Sequence, residues 1–153
     1  MDFRALCDDR VFGVRATGLL VRNQELYLIR SPKGKYYTLG GAIQVGETTE
    51  DAVKRELKEE VGVDVEIHQL AFIVENQFEL DEKQYHQIEF QYIVTSLEEP
   101  LNKLVEGNTD RYCEWIPFTE LTEIDLNPVF LKTALPKWDG QLQHVVNKER
   151  NCK

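Results

Sequence analysis

Apolar and β-branched residues crowd residues 11–21 (VFGVRATGLLV), and the polar pair Asn23-Gln24 separates them from a second such run at residues 25–30. Two strands joined by a turn are predicted there. Residues 31–35 contain Pro32 and Gly34 and read as a loop, and residues 36–39 lead into a glycine-rich stretch. The period then changes. Val53, Leu57 and Val61 recur every fourth residue, which predicts a helix over residues 49–61. Thr48 or Thr49 is placed to cap its start, and Gly62 to close it.

Beyond residues 63–67 the pattern alternates again. A hairpin is predicted from residues 71–79 and 85–95, turning at Asp81-Glu82-Lys83. Residues 96–109 form the longest irregular stretch, acidic and flexible in character. Residues 113–116 read as a short strand before Pro117, and residues 118–123 as the start of a short helix. Pro128 precedes a helical run at residues 129–135, which Pro136 ends. Residues 144–147 add a late strand. Strands surrounding one central helix, with a second helix late, predict a single α/β domain over residues 1–153 with its core at about 10–148. Its expected architecture is an α/β/α sandwich with a mixed β-sheet.

The central helix carries an oddity. At about 100° of rotation per residue, Glu56, Glu59 and Glu60 fall within one arc of about 100°. Like charges at these spacings cost roughly 0.2–0.5 kcal/mol each. Glu50 precedes Lys54 by four and Asp51 precedes Arg55 by four, so the exposed face looks charge-matched. Glu56 has Ala52 and Glu60 at those positions and no such partner. Carboxylates crowded beside the apolar stripe call for a cation, and oxygen donors without His or Cys favour Mg²⁺ or Mn²⁺. Taken alone, KRELKEE would read as a solvated helix face. Gly40-Gly41 and Gly46 just upstream change that, since they permit positive φ and close approach to a ligand.

The stretch GAIQVGETTEDAVKRELKEEVGV, residues 41–63, matches every position of Gly-x5-Glu-x7-Arg-Glu-U-x-Glu-Glu-x-Gly-U, with U aliphatic. On those residues the chain resembles the Nudix hydrolase family. Leu39 and Gln44 stand where many members have Pro and Glu, neither of them a metal ligand. The resemblance implies the same sandwich and a Mg²⁺- or Mn²⁺-dependent pyrophosphohydrolase of the MutT-like type. Glu56, Glu59 and Glu60 are then metal ligands, with the Gly40 carbonyl completing the set. Arg55 is expected to pair with Glu47 and fix the loop on the helix, because a guanidinium can grip a carboxylate with two prongs. Glu56 is one candidate base. A glutamate of the downstream stretch, Glu98, Glu99 or Glu106, is the other.

The implied substrate is a nucleoside diphosphate linked to another moiety, either a nucleotide or a nucleotide sugar. The alternative is a catalytically silent nucleotide sensor, which would have no need of an intact acidic stripe. Arg15 interrupts the apolar phase of the first strand and, with Gly41, is a candidate substrate contact. Asn76 and His86 lie on otherwise apolar faces of the hairpin and should be hydrogen-bonded or line a pocket. Glu75, Glu89 and Gln91 are expected to meet water, and Trp115 and Trp138 to pack. Residues 78–81 carry neither the proline nor the tyrosine that marks certain subgroups.

Composition narrows the remaining choices. A hydrophobic fraction of 42% over 153 residues supports one sizeable core. No apolar run reaches the length of a membrane span, and the charged N-terminus MDFRALCDDR lacks a signal core, so a cytoplasmic protein without a membrane partner is expected. Cys7, Cys113 and Cys152 are odd in number and widely spaced, and read as free thiols. A net charge of −9 argues against a nucleic-acid partner. Whether the protein forms a homodimer stays open.

Overall fold

A computed structural model describes residues 1–104 and 111–149. Ten strands form one curled mixed sheet: β1 (Arg4–Cys7), β2 (Arg10–Arg22), β3 (Glu25–Arg30), β4 (Lys35–Tyr37), β5 (Leu39–Ala42), β6 (Glu66–Leu80), β7 (Lys83–Thr95), β8 (Tyr112–Pro117), β9 (Asp125–Asn127) and β10 (Gln143–Lys148). The main order is β10-β6-β7-β2-β3-β4-β9, with β1 and β5 beside β2 and β8 beside β3. Helix α1 (Thr49–Val61) lies on one face. A 3₁₀ helix (Phe118–Glu123) and the short α2 (Leu131–Ala134) lie on the other.

Strand β2 explains the curl. Its successive stretches pair antiparallel with β1, β5 and β3, while its other edge runs parallel to β7. Alternate β2 residues therefore feed two cores. Ala16 and Leu20 join Leu39, Val53, Leu57, Val61 and Tyr92 beneath α1. Leu19 joins Leu26, Leu28, Phe72, Leu121, Leu126 and Leu131 on the opposite face. The expected α/β/α sandwich is the observed one.

The helix spans the predicted residues. Thr48, not Thr49, is the N-cap: its hydroxyl accepts from the Asp51 N–H at 3.1 Å. Gly62 closes the helix in the left-handed region at φ 73°. Both predicted hairpin turns are two residues long with positive φ throughout, at Asn23-Gln24 and Asp81-Glu82. That geometry matches the twist of the flanking strands, and it places Lys83 in β7 and not in the turn.

Several elements differ from expectation. Gly40-Gly41 is not a loop but part of β5, paired with Thr17 and Ala16 of β2. β1 and β9 are short strands that exist only because a longer neighbour offers an edge. α2 is shorter than the predicted run. Residues 96–104 are irregular but tethered: the Leu101 N–H donates to Val61 O at 2.9 Å, and the Tyr27 hydroxyl donates to Leu101 O at 2.8 Å. Among the described residues no helix is long and apolar enough to cross a membrane.

Candidate functional site

The acidic stripe of α1 faces strand β5, and one arginine organises it. Arg55 donates from Nε to Glu47 Oε2 at 2.8 Å and from Nη2 to Glu47 Oε1 at 2.9 Å, a two-pronged grip. Its Nη2 also reaches Ala42 O at 3.3 Å, so a single guanidinium ties helix, strand and intervening loop together. Glu47 in turn accepts the Gln44 N–H at 2.9 Å. These bonds, the Arg55 one foremost, hold the Glu47 carboxyl below its usual range, and they hold the Arg55 guanidinium well above its own.

The stripe is not unpartnered. Arg55 Nη1 also donates to Glu56 Oε1 at 3.0 Å and to Glu59 Oε2 at 3.3 Å. Arg55 thus serves Glu47, Glu56 and Glu59, where helical spacing had matched it with Asp51. The cause is the loop, which folds Glu47 back over the helix start and draws the guanidinium toward it. Glu60 Oε1 accepts the Gly40 N–H at 2.9 Å. Burial pushes the Glu56 carboxyl up; Arg55 and, more weakly, Arg15 pull it back.

Gly41 has a steric reason. A Cβ there would lie 2.5 Å from Glu56 Oε1, so only glycine lets the carboxylate rest on β5. Glu47, Arg55, Glu56, Glu59, Glu60, Gly40 and Gly41 are therefore brought together. Among the described residues no three acidic, His or Cys side chains form a preformed cage for an ion. The donor chemistry nevertheless suits a hard divalent cation: the carboxylates are all oxygen donors, and Glu59 is held only by the longest of these bonds.

Arg15 lies beyond this cluster, its Nε 3.8 Å from Glu89 Oε1. Glu89 and Gln91, expected to meet water, are buried at 3% and 0% exposure. Both faces of β7 are covered: Phe90, Tyr92 and Val94 pack in the core beneath α1, and Ile93, on the face that carries Glu89 and Gln91, packs in the opposite core. Thr17 Oγ1 donates to Glu89 Oε1 at 2.6 Å and Gln91 Nε2 to the same oxygen at 3.0 Å. Arg15, Asn76 and Glu89 line a cavity of about 320 Å³. Asn76 also accepts from Asn147 Nδ2 at 2.7 Å. A wider hollow of about 770 Å³ opens at the hairpin tip, lined by His86, Phe12 and Lys148 but by no residue of the acidic cluster. His86 itself is exposed, since the hairpin tip projects past the core.

Of the downstream glutamates, Glu99 accepts from Arg22 and from Trp115 Nε1, and the Arg22 bond foremost holds its carboxyl low. Its contacts are with β2 and β8, not with Glu56. Glu98 is exposed, and its carbonyl accepts from Ser96 Oγ. Glu106 and Cys152 lie outside the described residues. Glu75 is half-buried and meets His144 Nε2 at 2.6 Å. Trp115 packs on Tyr27 and under Arg22, and Trp138 packs against the second core. Cys7 and Cys113 are free thiols, exposed and buried respectively.

A sheet sandwiched between a capped acidic helix and a shorter helical pair, with a glycine strand seating the helix carboxylates, defines a fold shared with many solved hydrolases. A MutT protein from Bacillus halodurans superposes with a TM-score of 0.70 at 22% identity, covering 86% of this chain and 88% of that one. An ADP-ribose pyrophosphatase from Streptococcus suis 89-1591 gives 0.61 at 15% identity, covering 88% and 98%. The NUDIX domain family model matches residues 12–138, and the chain belongs to the Nudix hydrolase family. An NAD-capped RNA hydrolase NudC from Stutzerimonas stutzeri (strain A1501) is 50% identical over 50 residues, which is 31% of this chain but only 18% of that protein. The chain thus spans less than a fifth of the length of that relative.

Proposed function

We propose that this Nudix hydrolase cleaves the diphosphate linkage of a nucleoside diphosphate joined to another moiety. Mg²⁺ or Mn²⁺ is the cofactor in this reading. The observation that carries it is the grip of Arg55 on Glu47, Glu56 and Ala42 O, which fixes a carboxylate cluster against Gly41. Glu56, Glu59 and Glu60, with the Gly40 carbonyl, would hold the ion. A bound divalent ion neutralises phosphoryl charge and acidifies water.

The chain's own residues supply the rest. Glu56, whose affinity for a proton is raised by burial, would in this reading take one from the attacking water. Arg55 and Glu47 are positioning residues: they hold the helix start, and with it the carboxylates, on β5. Arg15, beyond the cluster, exerts only a weak pull on Glu56 and in this reading would meet a part of the substrate farther from the metal. A silent sensor would not require such a crowded acidic stripe, which costs stability unless charge is brought to it.

The substrate is a small molecule in this reading. A net charge of −9 disfavours an extended RNA, although the partial likeness to an NAD-capped RNA hydrolase makes NAD a sensible member of any test set. A cytoplasmic location accords with the free thiols Cys7 and Cys113.

The test is a panel of nucleoside diphosphate derivatives, NAD, ADP-ribose and nucleoside triphosphates, assayed with Mg²⁺ and with Mn²⁺ for a phosphorylated product. Turnover that EDTA abolishes is the expected result. Absence of turnover on the whole panel, with nucleotide binding retained, would favour the sensor.

A further inference from the structure

The cavity on the far side of Arg15 is built around a charge that the diphosphate chemistry leaves unused. Cross-strand register sets Arg15 opposite Glu89, Glu89 opposite Val74, and Gln87 opposite Asn76, so these side chains share one face of the sheet. Further along that face Leu19, Phe72 and Ile93 are covered by the 3₁₀ helix and α2. At the cavity end the covering stops and the face turns polar.

Glu89 is almost wholly buried, yet both of its protein hydrogen bonds fall on Oε1. Among the described residues Oε2 takes neither, although the residue lines the cavity. Beside it, Gln91 Oε1 is buried without a hydrogen-bond partner, so this network is incomplete in the protein alone. A carboxylate can only accept, and an acceptor kept in so dry a place gains most from a ligand that donates. Tyr37 and Phe78 also line the cavity, the latter backed by Tyr85 at 4.8 Å in a parallel stack. Flat aromatic walls suit a planar ring. The volume of about 320 Å³ lies at the lower end of the range for small-molecule pockets.

We infer that this cavity is a nucleobase subsite in which Glu89 is the specificity-determining residue, selecting a guanine-type base through its adjacent N1–H and N2–H donors. This rests on the proposed diphosphate chemistry and adds to it the class of nucleoside. The other bases fit worse by elementary hydrogen-bond matching. Adenine sets a ring-nitrogen acceptor beside its single amino donor, as cytosine does, and uracil flanks its one N–H with two carbonyls. Each would put a lone pair against the buried carboxylate. Arg15, which lines the cavity and pulls weakly on Glu56, then lies between the base-binding region and the acidic cluster.

The test has two arms. Dissociation constants of GDP, ADP, UDP and CDP are measured at fixed Mg²⁺ by calorimetry, which needs no turnover. GDP is expected to bind at least about tenfold more tightly than the others, on the scale of discrimination by a well-formed two-donor contact. Equal affinities, or a preference for ADP, UDP or CDP, would overturn the assignment even if hydrolysis is robust. In the second arm kcat/KM is compared for GDP-linked and ADP-linked substrates in the wild type and in Glu89→Gln. The glutamine presents a donor as well as an acceptor, so the guanine preference should collapse. A folded Glu89→Gln that keeps the preference refutes the role of Glu89. Should that variant not fold, the wild-type ranking alone decides. Absence of all turnover with guanine-selective binding intact would instead count against the hydrolytic reading and leave the subsite standing.

Discussion

Two buried or half-buried carboxylates, each beside an arginine, occupy different sides of this protein and are held in different ways. Glu56 projects from a helix onto a glycine strand, 3.0 Å from Arg55 in a network of charged partners. Glu89 sits in the middle of a sheet, held by the neutral donors Thr17 and Gln91, with Arg15 at 3.8 Å. The first is surrounded by other carboxylates and, under the proposed function, would exchange protein partners for a cation. The second is locked by short neutral bonds and serves as a fixed acceptor. Burial of a charge therefore carries no single meaning: the neighbours decide whether the group is reactive or architectural.

Substitutions can pull these roles apart. The largest effect is expected from Glu56→Gln, which changes charge but hardly volume. Turnover should fall about 100-fold or more while the melting temperature holds. A folded variant with near wild-type kcat would remove Glu56 from the chemistry. Next comes Gly41→Ala, whose new methyl would lie 2.5 Å from Glu56 Oε1 and push the carboxylate off β5. Displacing a reacting group by about 1 Å can cost roughly 100-fold in rate. Retention of wild-type kcat in Gly41→Ala would show that the seating of Glu56 on β5 is dispensable.

Arg55→Lys keeps the charge and loses the two-pronged grip, so kcat should drop about 10- to 100-fold with little change in metal affinity. Unchanged kcat would reduce Arg55 to an ordinary surface ion pair. On the other carboxylate the signature should be thermal. Thr17→Val deletes one bond to a buried charge, worth about 1.5–3 kcal/mol, and should lower the melting temperature by several degrees. No shift would mean that Glu89 needs no lock.

The smallest effect concerns a thiol. Burial, helped by the charge of Glu60, pushes the Cys113 thiol up to about 12. At pH 8 only about one in ten thousand of these groups is thiolate, so iodoacetamide should modify exposed Cys7 and spare Cys113 in the folded protein, as read by peptide mapping. The raised value also sets a sign. Any stability that the neutral thiol contributes is complete below its unfolded value near 8.5 and is lost as pH climbs toward 12. Rapid alkylation of native Cys113 would contradict its burial.

The helix and its acidic stripe were legible in the sequence because both are written in local spacing. Val53, Leu57 and Val61 set the buried stripe, Thr48 and Gly62 the ends, and Glu56, Glu59 and Glu60 the charged edge. Glu89 and Gln91 were not legible. Alternation along residues 85–95 suggested one wet face, but wetness depends on what packs over the sheet, and a core lies on each side of β7, one beneath α1 and one beneath the 3₁₀ helix and α2. Glu89 alternates with apolar residues as any surface glutamate would; only the pairing register sets it opposite Arg15 and one step diagonally from Thr17. The short strands were hidden for a related reason. Nothing in Leu39-Gly40-Gly41-Ala42 favours an extended strand except the edge of β2. Arg55 was expected to pair with Glu47, whereas its reach to Glu56 required the loop to fold first.

The parallel seam between β2 and β7 also orders events in time. Thr17 and Glu89 are 72 residues apart, and such distant pairs close only after the intervening chain has been organised. The β6–β7 hairpin, joined by two residues, can zip locally, and α1, at 13 residues, is marginal without the sheet it packs on. During synthesis every residue of the acidic helix therefore leaves the ribosome well before the strand that floors the neighbouring cavity. The segment that most clearly marks the family in sequence is, in the growing chain, a helix whose β2 and β5 seat has already emerged while β7, which completes the sheet beside β2, has not.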